Sequence, residues 1–447
     1  VFKTLKEAFK MKDVRTKILW TVLLLLVYRV GCYIPIPGIS PEAFTGVWNE
    51  ETGQYDGGWR GSSAGGFLEI LNSVAGGALA NGAILALGVG PYITSSIVIQ
   101  LLTIALPPLE RLSKQGDEGR RKLAVYTRYA ALFMSLAQAI AIAVSFASAG
   151  NLNTSLFGAA VPAVVVTLVV ILVLTAGSMF TVWIGDKITE HGVSNGMSML
   201  IFVGIISTGA LAFFHSILDV FNDINAITIP IVFTVLLALI FFLIVYVDLG
   251  ERRIPVSYAK QVKGNKMYGG QSTHIPLKIN SVGVIPIIFA FALLNFPQLI
   301  FSFFQDTGAY VWYMTNMGTG TWPNIILTAG LILAFSYFYA SISFNPEDVS
   351  KSLQQNGGYI LGYRPGVPTR DYLKKVHNRM TLFGAIFLAF MALIPSIIFK
   401  AVMDGQVNVL ADAFTSIGML ICVSVALEFD KQLQAAMMMK TYKGFLK

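Results

Sequence analysis

Ten apolar stretches divide this chain, at residues 18–34, 81–106, 123–147, 162–185, 196–217, 228–248, 281–304, 322–344, 380–400 and 409–427. Leu, Ile, Val, Phe and Ala dominate each of them. A bilayer core about 30 Å thick needs roughly 20 such residues per helical crossing. In lipid every backbone N–H and C=O must be satisfied within the protein, which leaves helices and closed barrels as spanning structures. None of the stretches sustains a period-two alternation, so the pattern predicts a helical bundle. Charge points the same way: 13% of the 447 residues are charged and 55% are hydrophobic, against about 25% charged in a soluble domain. That balance argues against a soluble enzyme and excludes disorder. Cys32 and Cys422 sit in separate apolar runs and build neither a disulfide framework nor a zinc site.

Lys and Arg fix the orientation. With the N-terminus in the cytoplasm and the spans alternating, 29 of the 32 cationic residues fall on the cytoplasmic side, the exceptions being Arg29, Arg60 and Lys400. The positive-inside rule therefore places both termini in the cytoplasm. The first apolar run ends in Cys32-Tyr33-Ile34-Pro35-Ile36-Pro37-Gly38, not in a small-residue cleavage site, and reads as an uncleaved span.

Ten spans fall into two groups of five, residues 1–217 and 218–447. The second span of each group carries one motif, G-V-x-P-x-I, as Gly88-Val89-Gly90-Pro91-Tyr92-Ile93 and Gly283-Val284-Ile285-Pro286-Ile287-Ile288. Five spans per group make these two helices antiparallel in the membrane, the pattern of an inverted repeat with a pathway between the halves. Two unrelated proline kinks are the plainer explanation. Residues 64–78 are too short to span. Phe67, Leu68, Ile70, Leu71 and Val74 recur at roughly helical spacing between paired glycines, which predicts a short helix. It either lies at the interface or folds back into the bundle, and the residues alone leave both open.

The sequence contains no phosphate-binding Gly-Lys dipeptide and no H-E-x-x-H motif, so no nucleotide or helical zinc site is expected. No carboxylate lies deep within a span, where a coupled transporter places its ion ligands. Small and aliphatic residues are offered instead. Val89 and Ile93 share a helical face, as do Val193 and Met197, and Ile285 and Ile288. Glycines beside them let backbones approach closely, and a ring of such side chains would exclude water and ions by dewetting. For any single pair, ordinary packing is the simpler account. Two cytoplasmic segments, 250–280 and 345–379, are long and basic, carrying Arg252, Arg253, Lys260, Lys263, Lys266 and Lys278, then Lys351, Arg364, Arg370, Lys374 and Lys375. They suit either orientation and anionic lipid or an acidic docking partner such as ribosomal RNA or a motor protein.

At this point the sequence resembles the SecY family over essentially its whole length. The resemblance rests on Tyr33-Ile34-Pro35-Ile36-Pro37-Gly38, Ala86-Leu87-Gly88-Val89-Gly90-Pro91-Tyr92-Ile93, and Gly119-Arg120-Arg121-Lys122 with Tyr126-Thr127-Arg128-Tyr129. Further matches are Gly192-Val193-Ser194-Asn195-Gly196, Gln271-Ser272-Thr273-His274-Ile275-Pro276-Leu277-Lys278, Phe344-Asn345-Pro346 and Tyr363-Arg364-Pro365-Gly366. The outer loop 44–63 is longer than the family pattern requires.

The resemblance implies an all-α polytopic membrane protein, ten transmembrane helices in two inverted five-helix halves around a central hourglass pore. It implies a pore ring of Val89, Ile93, Val193, Met197, Ile285 and Ile421, with Ile288, one turn from Ile285, a neighbouring candidate, and a plug carrying Phe67, Leu68, Ile70, Leu71 and Val74. A lateral gate between spans two and seven, backed by three and eight, would include Thr94, Gln138, Ile288 and Asn295. Docking would use Arg364 first, then Arg252 and Arg253, with Lys260 and Arg370 in the same basic segments. The implied partners are the small subunits SecE and SecG, the SecA motor ATPase, the ribosome, signal sequences with their nascent chains, and membrane lipid. The expected location is the bacterial plasma (inner) membrane, with no cofactor and no enzymatic activity. An ion-coupled secondary transporter with inverted repeats is the alternative.

Overall fold

The computed structural model describes residues 7–39, 47–49, 54–56, 72, 75–148, 155–156, 159–222, 228–258, 261–263, 266–268, 272–280, 283, 285–301, 307–317, 321–402 and 416–445. In the first half the helices are α1 (Lys12–Gly31), α2 (Gly90–Ala105), α3 (Pro107–Ser113), α4 (Asp117–Ser148), α5 (Ala163–His191) and α6 (Gly196–Asn222). The second half has α7 (Thr228–Asp248), α8 (Ile285–Phe301), α9 (Gly308–Met317), α10 (Trp322–Ser343), α11 (Pro346–Gln355), α12 (Val367–Val402) and α13 (Ser416–Phe445). A helix overlaps each of the ten apolar stretches. Among the described residues, Asp117–Val144, Ala163–His191, Trp322–Gln355 and Val367–Leu393 are long and apolar enough to cross a membrane. Helices α2 and α3 meet that criterion only as a pair, bent by 105°. The bend falls at Leu106, whose backbone is extended, because Pro107 and Pro108 disfavour continuing the helix.

The second stretch departs from expectation. Residues 81–106 read as one helix, yet α2 begins only at Gly90, and residues 75–89 form a succession of turns. Gly76, Gly77, Gly82 and Gly88 all have positive φ, a conformation that ends helices and that glycine reaches without steric cost. The freed backbone groups find partners in the protein. Ile36 N–H donates to the Gly82 carbonyl at 2.8 Å, and Ile84 N–H to the Ile34 carbonyl at 2.9 Å. The repeated motif shares this geometry in both halves. Gly88 has φ +53° and Gly283 has φ +68°, each just ahead of a helix whose second residue is a proline, Pro91 or Pro286. The motif therefore marks a turn into a helix twice over, with proline placed where its missing N–H costs nothing.

Helix α2 packs on α4, and α4 on α5; in the second half α8 packs on α10, and α10 on α12. The halves meet where α13 lies against α6 and α1, with lighter contact between α8 and α2. The junction of α5 and α6 is close-fitting. A Cβ at Gly196 would overlap the Gly185 carbonyl and come within 2.8 Å of the Ile188 Cβ.

Strands add to the helical framework. Hairpins pair β1 (Val47–Asn49) with β2 (Gln54–Asp56), β3 (Ser155–Leu156) with β4 (Ala159–Ala160), and, after β5 (Glu251–Tyr258), β6 (Gln261–Lys263) with β7 (Lys266–Tyr268). A three-stranded antiparallel sheet has β5 at its centre, between β8 (Ser272–Lys278) and β9 (Gly358–Ile360). Ile254 faces Ile275, and Val256 lies between Thr273 and Ile360. Ile254, Val256, Leu277 and Ile360 bury against Leu353, Leu373 and Val376. Segment 250–280 is thus a folded element, whose alternation at Arg253-Ile254-Pro255-Val256 is the signal of a half-buried strand.

Replacing Gly196 by Ala should destabilise the protein by about 1–3 kcal/mol, the usual cost of overpacking a close-fitting interior. Thermal unfolding of the detergent-solubilised protein measures this, and an unchanged midpoint would contradict the α5–α6 geometry.

Candidate functional site

An apolar cluster lies between the halves. Its buried members come from α1 (Leu24, Tyr28, Cys32), the turns before α2 (Ala75, Leu85, Val89), α5 (Ile184, Ile188), α6 (Leu200, Ile205) and α13 (Ile421, Val425). Val89 is fully buried and Ile421 is 4% exposed. Ile93, Met197 and Ile288 are half-buried and pack against the same cluster. Aliphatic groups from the start of α2, from α6, α8 and α13 thereby converge from both halves.

Two residues of the expected ring stand elsewhere. Val193 lies in the connection after α5 ends at His191, and packs with Ala8, Val14, Ile18 and Leu433 in a separate cluster. Ile285 is the first residue of α8 and half-buried, outside the central cluster. Ile288, one turn later, packs there instead. The named convergent residues Val89, Ile93, Met197, Ile288 and Ile421 carry no ionisable group. In lipid, aliphatic side chains gain nothing by leaving acyl chains for one another, so such a cluster is held by close packing. Groups held that way can part and close again, and while closed they deny water and ions a hydration path.

Phe67, Leu68, Ile70, Leu71 and Val74, expected in the plug, lie outside the described residues. The segment that follows them is fastened to α1. The Tyr28 hydroxyl donates to the Ala75 carbonyl at 3.0 Å, and Arg29 Nη1 donates to the Gly76 carbonyl at 2.7 Å. Asn81 Nδ2 returns a bond to the Cys32 carbonyl at 3.2 Å. Arg29 also lies over the Tyr33 ring, 5.4 Å from its centroid, and reaches its hydroxyl at 3.2 Å. Sequence reasoning passed over this anchor, although a lone arginine inside an apolar run is the signal that could have found it.

Of the expected gate residues, Thr94 donates to the Gly90 carbonyl one turn back, at 3.1 Å. Gln138 on α4 is 6% exposed, and its Oε1 has no hydrogen-bond partner among the described residues. Ile288 sits as above, and Asn295 belongs to α8, its side chain outside the description.

The basic segments, about a hundred residues apart in sequence, are joined in one sheet because β9 pairs with β5. Arg252 and Arg253 are exposed on β5, and Arg253 pairs with Glu251 at 2.6 Å. Arg364 is exposed in a turn after β9 whose carbonyl accepts from the Thr369 hydroxyl at 2.7 Å. Ser350 closes the same turn by donating to the Gly366 carbonyl at 2.7 Å. Arg370 pairs with Asp371 at 2.9 Å, and Lys260 lies outside the described residues. Arg252 and Arg364 have no carboxylate partner among the described residues. Lys351 pairs with Glu347 at 2.8 Å. At an exposed site such a pair stabilises little.

Behind this face, His377 is buried against Phe344, with ring centroids 4.8 Å apart, and its Nε2 lies 3.2 Å from the Ala340 carbonyl. A carbonyl only accepts, so that nitrogen carries the proton.

With this geometry in place, comparisons with known proteins are informative. The family model described as SecY matches residues 83–429. The protein translocase subunit SecY of Streptomyces coelicolor is 38% identical over 452 residues, covering 99% of each chain. Those of Mycobacterium tuberculosis and Bacillus subtilis are 39% and 37% identical, covering 97% and 100% of both chains respectively. Among solved structures, one described as a protein conducting channel superposes with a TM-score of 0.61 at 19% identity, covering 94% of this chain and 92% of its own. Sec61 from the canine ribosome–channel complex superposes at 0.59 with 18% identity over the same shares. These structural likenesses establish the fold.

Proposed function

The chain belongs to the SecY family, and on that premise we propose the following account of how it works. It is the channel-forming subunit of a protein translocase, passing unfolded polypeptides across a membrane and releasing apolar segments sideways into lipid. The observation that carries this reading is the convergence of Val89, Ile93, Met197, Ile288 and Ile421 from separate elements of both halves onto one apolar cluster. A translocating chain is extended and variable in side chain, so a fixed polar site could not serve every substrate. Deformable aliphatic groups part around any chain and close behind it.

Residues 64–78 act as a plug on the outer side of this ring, anchored through Ala75 and Gly76 to Tyr28 and Arg29. A related SecY structure is described as having a plug domain that stabilises the closed channel and maintains the membrane seal. Helices α2 and α8 form the lateral gate, with α4 and α10 behind them. A segment passing between them partitions by composition. A central Leu or Ile gains roughly 0.3–0.6 kcal/mol in the membrane, whereas a central Asp or Lys costs about 2.5–3.5 kcal/mol.

The face carrying Arg252 and Arg364 docks a driving partner, the SecA motor or a ribosome; Sec61 was solved in a ribosome–channel complex. SecE and SecG accompany the subunit in the bacterial inner membrane, with both termini cytoplasmic. Force comes from the partner, and this subunit is not an enzyme. Transport of a small solute coupled to an ion is disfavoured, because no carboxylate lies deep in a span to hold that ion.

Two experiments test this account. Replacing Ile93 and Ile421 together by Gly should raise ion conductance of the assembled channel in planar bilayers several-fold while secretion continues. Unaltered conductance would remove the ring assignment. Arg364→Glu should reduce ATP-driven export by SecA at least tenfold without lowering the amount of protein in the membrane; undiminished export would exclude the docking role.

A further inference from the structure

Strand β8 leads into α8 and α10 leads on to β9, so the connection from α8 to α10 lies at the end of the bundle opposite the sheet. It carries the short helix α9. At ten residues this helix is about 15 Å long, half of a bilayer core, and does not span. From Thr307 to Pro346 the sequence holds no Asp, Glu, Lys, Arg or His, although charged residues are what water-facing surface ordinarily carries. Val311 and Trp312 of α9 are 59% and 63% exposed, and Trp322, which opens α10, is 68% exposed. The exposed polar neighbours are turned back on the helix itself. The Thr315 hydroxyl donates to the Val311 carbonyl at 2.8 Å, and Asn316 Nδ2 to the Trp312 carbonyl at 2.9 Å. Two further bonds fix α9 to its neighbours. Asn324 Nδ2 of α10 donates to the Met317 carbonyl at 2.9 Å, and the Tyr313 hydroxyl to the Leu294 carbonyl of α8 at 3.3 Å. Leu294 stands in the turn before Pro297, which withholds an N–H from the helix ladder.

We propose that α9 lies in the headgroup layer of the bilayer, its exposed face covered by lipid, and moors the end of α8 there. Residues Trp322–Gln355 are long and apolar enough to cross a membrane, and α9 ends at Met317, just ahead of them. That is where the hydrocarbon core gives way to headgroups. Tryptophan favours this layer, because its ring meets acyl chains while its N–H meets polar groups. A helix without charges, whose exposed hydroxyl and amide are already bonded to its own carbonyls, gives up little hydration on entering it. In bulk water the same helix would leave Val311, Trp312 and Trp322 wetted together. Because Tyr313 links α9 to Leu294, the depth of α9 sets the depth of the last turns of α8. Any displacement of α8 then carries α9 along the headgroup layer or breaks that bond.

The test uses the assembled channel in native membranes whose phospholipid is radiolabelled. Photoreactive benzoylphenylalanine in place of Val311 or Trp312 should, on irradiation, attach labelled phospholipid to the subunit. The same residue in place of Tyr359, on β9, should attach far less. Attachment to protein alone, or labelling no greater than at Tyr359, would overturn the lipid assignment. Hydrogen exchange of the channel reconstituted in lipid nanodiscs reads the mooring separately. Tyr313→Phe keeps the ring and removes only the hydroxyl. It should raise amide exchange in the last turns of α8 about threefold, the effect of an average interhelical hydrogen bond in a membrane protein, and leave α12 unchanged. Unaltered exchange in α8, or an equal rise in α12 from general loosening, would overturn the mooring.

Discussion

Lipid offers no hydrogen bonds to a polypeptide backbone, and this constraint shapes the rest of the molecule. It forces the apolar stretches into helices and restricts irregular backbone to places where protein supplies the partners. The turns at residues 75–89 show how this is met. Glycines at positive φ break the helix, and the carbonyls of Ala75, Gly76 and Gly82 accept from Tyr28, Arg29 and Ile36. The break shortens the second span to α2 and brings Val89 into the centre of the bundle. Interrupted helices near the midplane, satisfied by neighbouring protein, are a recurrent way to build a pathway between inverted halves.

At that centre the chemistry is marked by uniform apolarity. Five aliphatic side chains meet with no charge among them, and in lipid their association has no hydrophobic drive of its own. In the proposed ring, packing alone closes the constriction, a seal that resists ions through their dehydration cost and yields to a polypeptide that presses the side chains aside. Polar contacts described near it include the Arg29 anchor and the Tyr339–Gln100 bond where the halves meet. Each ties a segment in place through a bond that can be broken and remade.

The strand-bearing face follows a different logic. A small apolar core under β5, β8 and β9 underlies a sheet that displays exposed arginines. Arg253 and Arg370 are engaged by neighbouring carboxylates, while Arg252 and Arg364 have no carboxylate partner among the described residues. Rigid display of a few cations on a folded sheet gives a docking partner geometry as well as charge.

Much of this protein was legible without coordinates. Run length and composition specified helices, and the two G-V-x-P-x-I motifs marked the paired turns into α2 and α8, because each depends on local chemistry or on the bilayer itself. The true start of α2 was hidden, since glycine's freedom permits a turn without requiring one. The strand at 251–258 carried a readable alternation, but its pairing with β9 joins residues a hundred positions apart. Val193 shared a helical face with Met197 in sequence, yet it packs against α1 and α13, and of Ile285 and its neighbouring candidate Ile288 it is Ile288 that packs against the central cluster. Periodicity names the face of a helix, and only the neighbouring helices determine what that face meets.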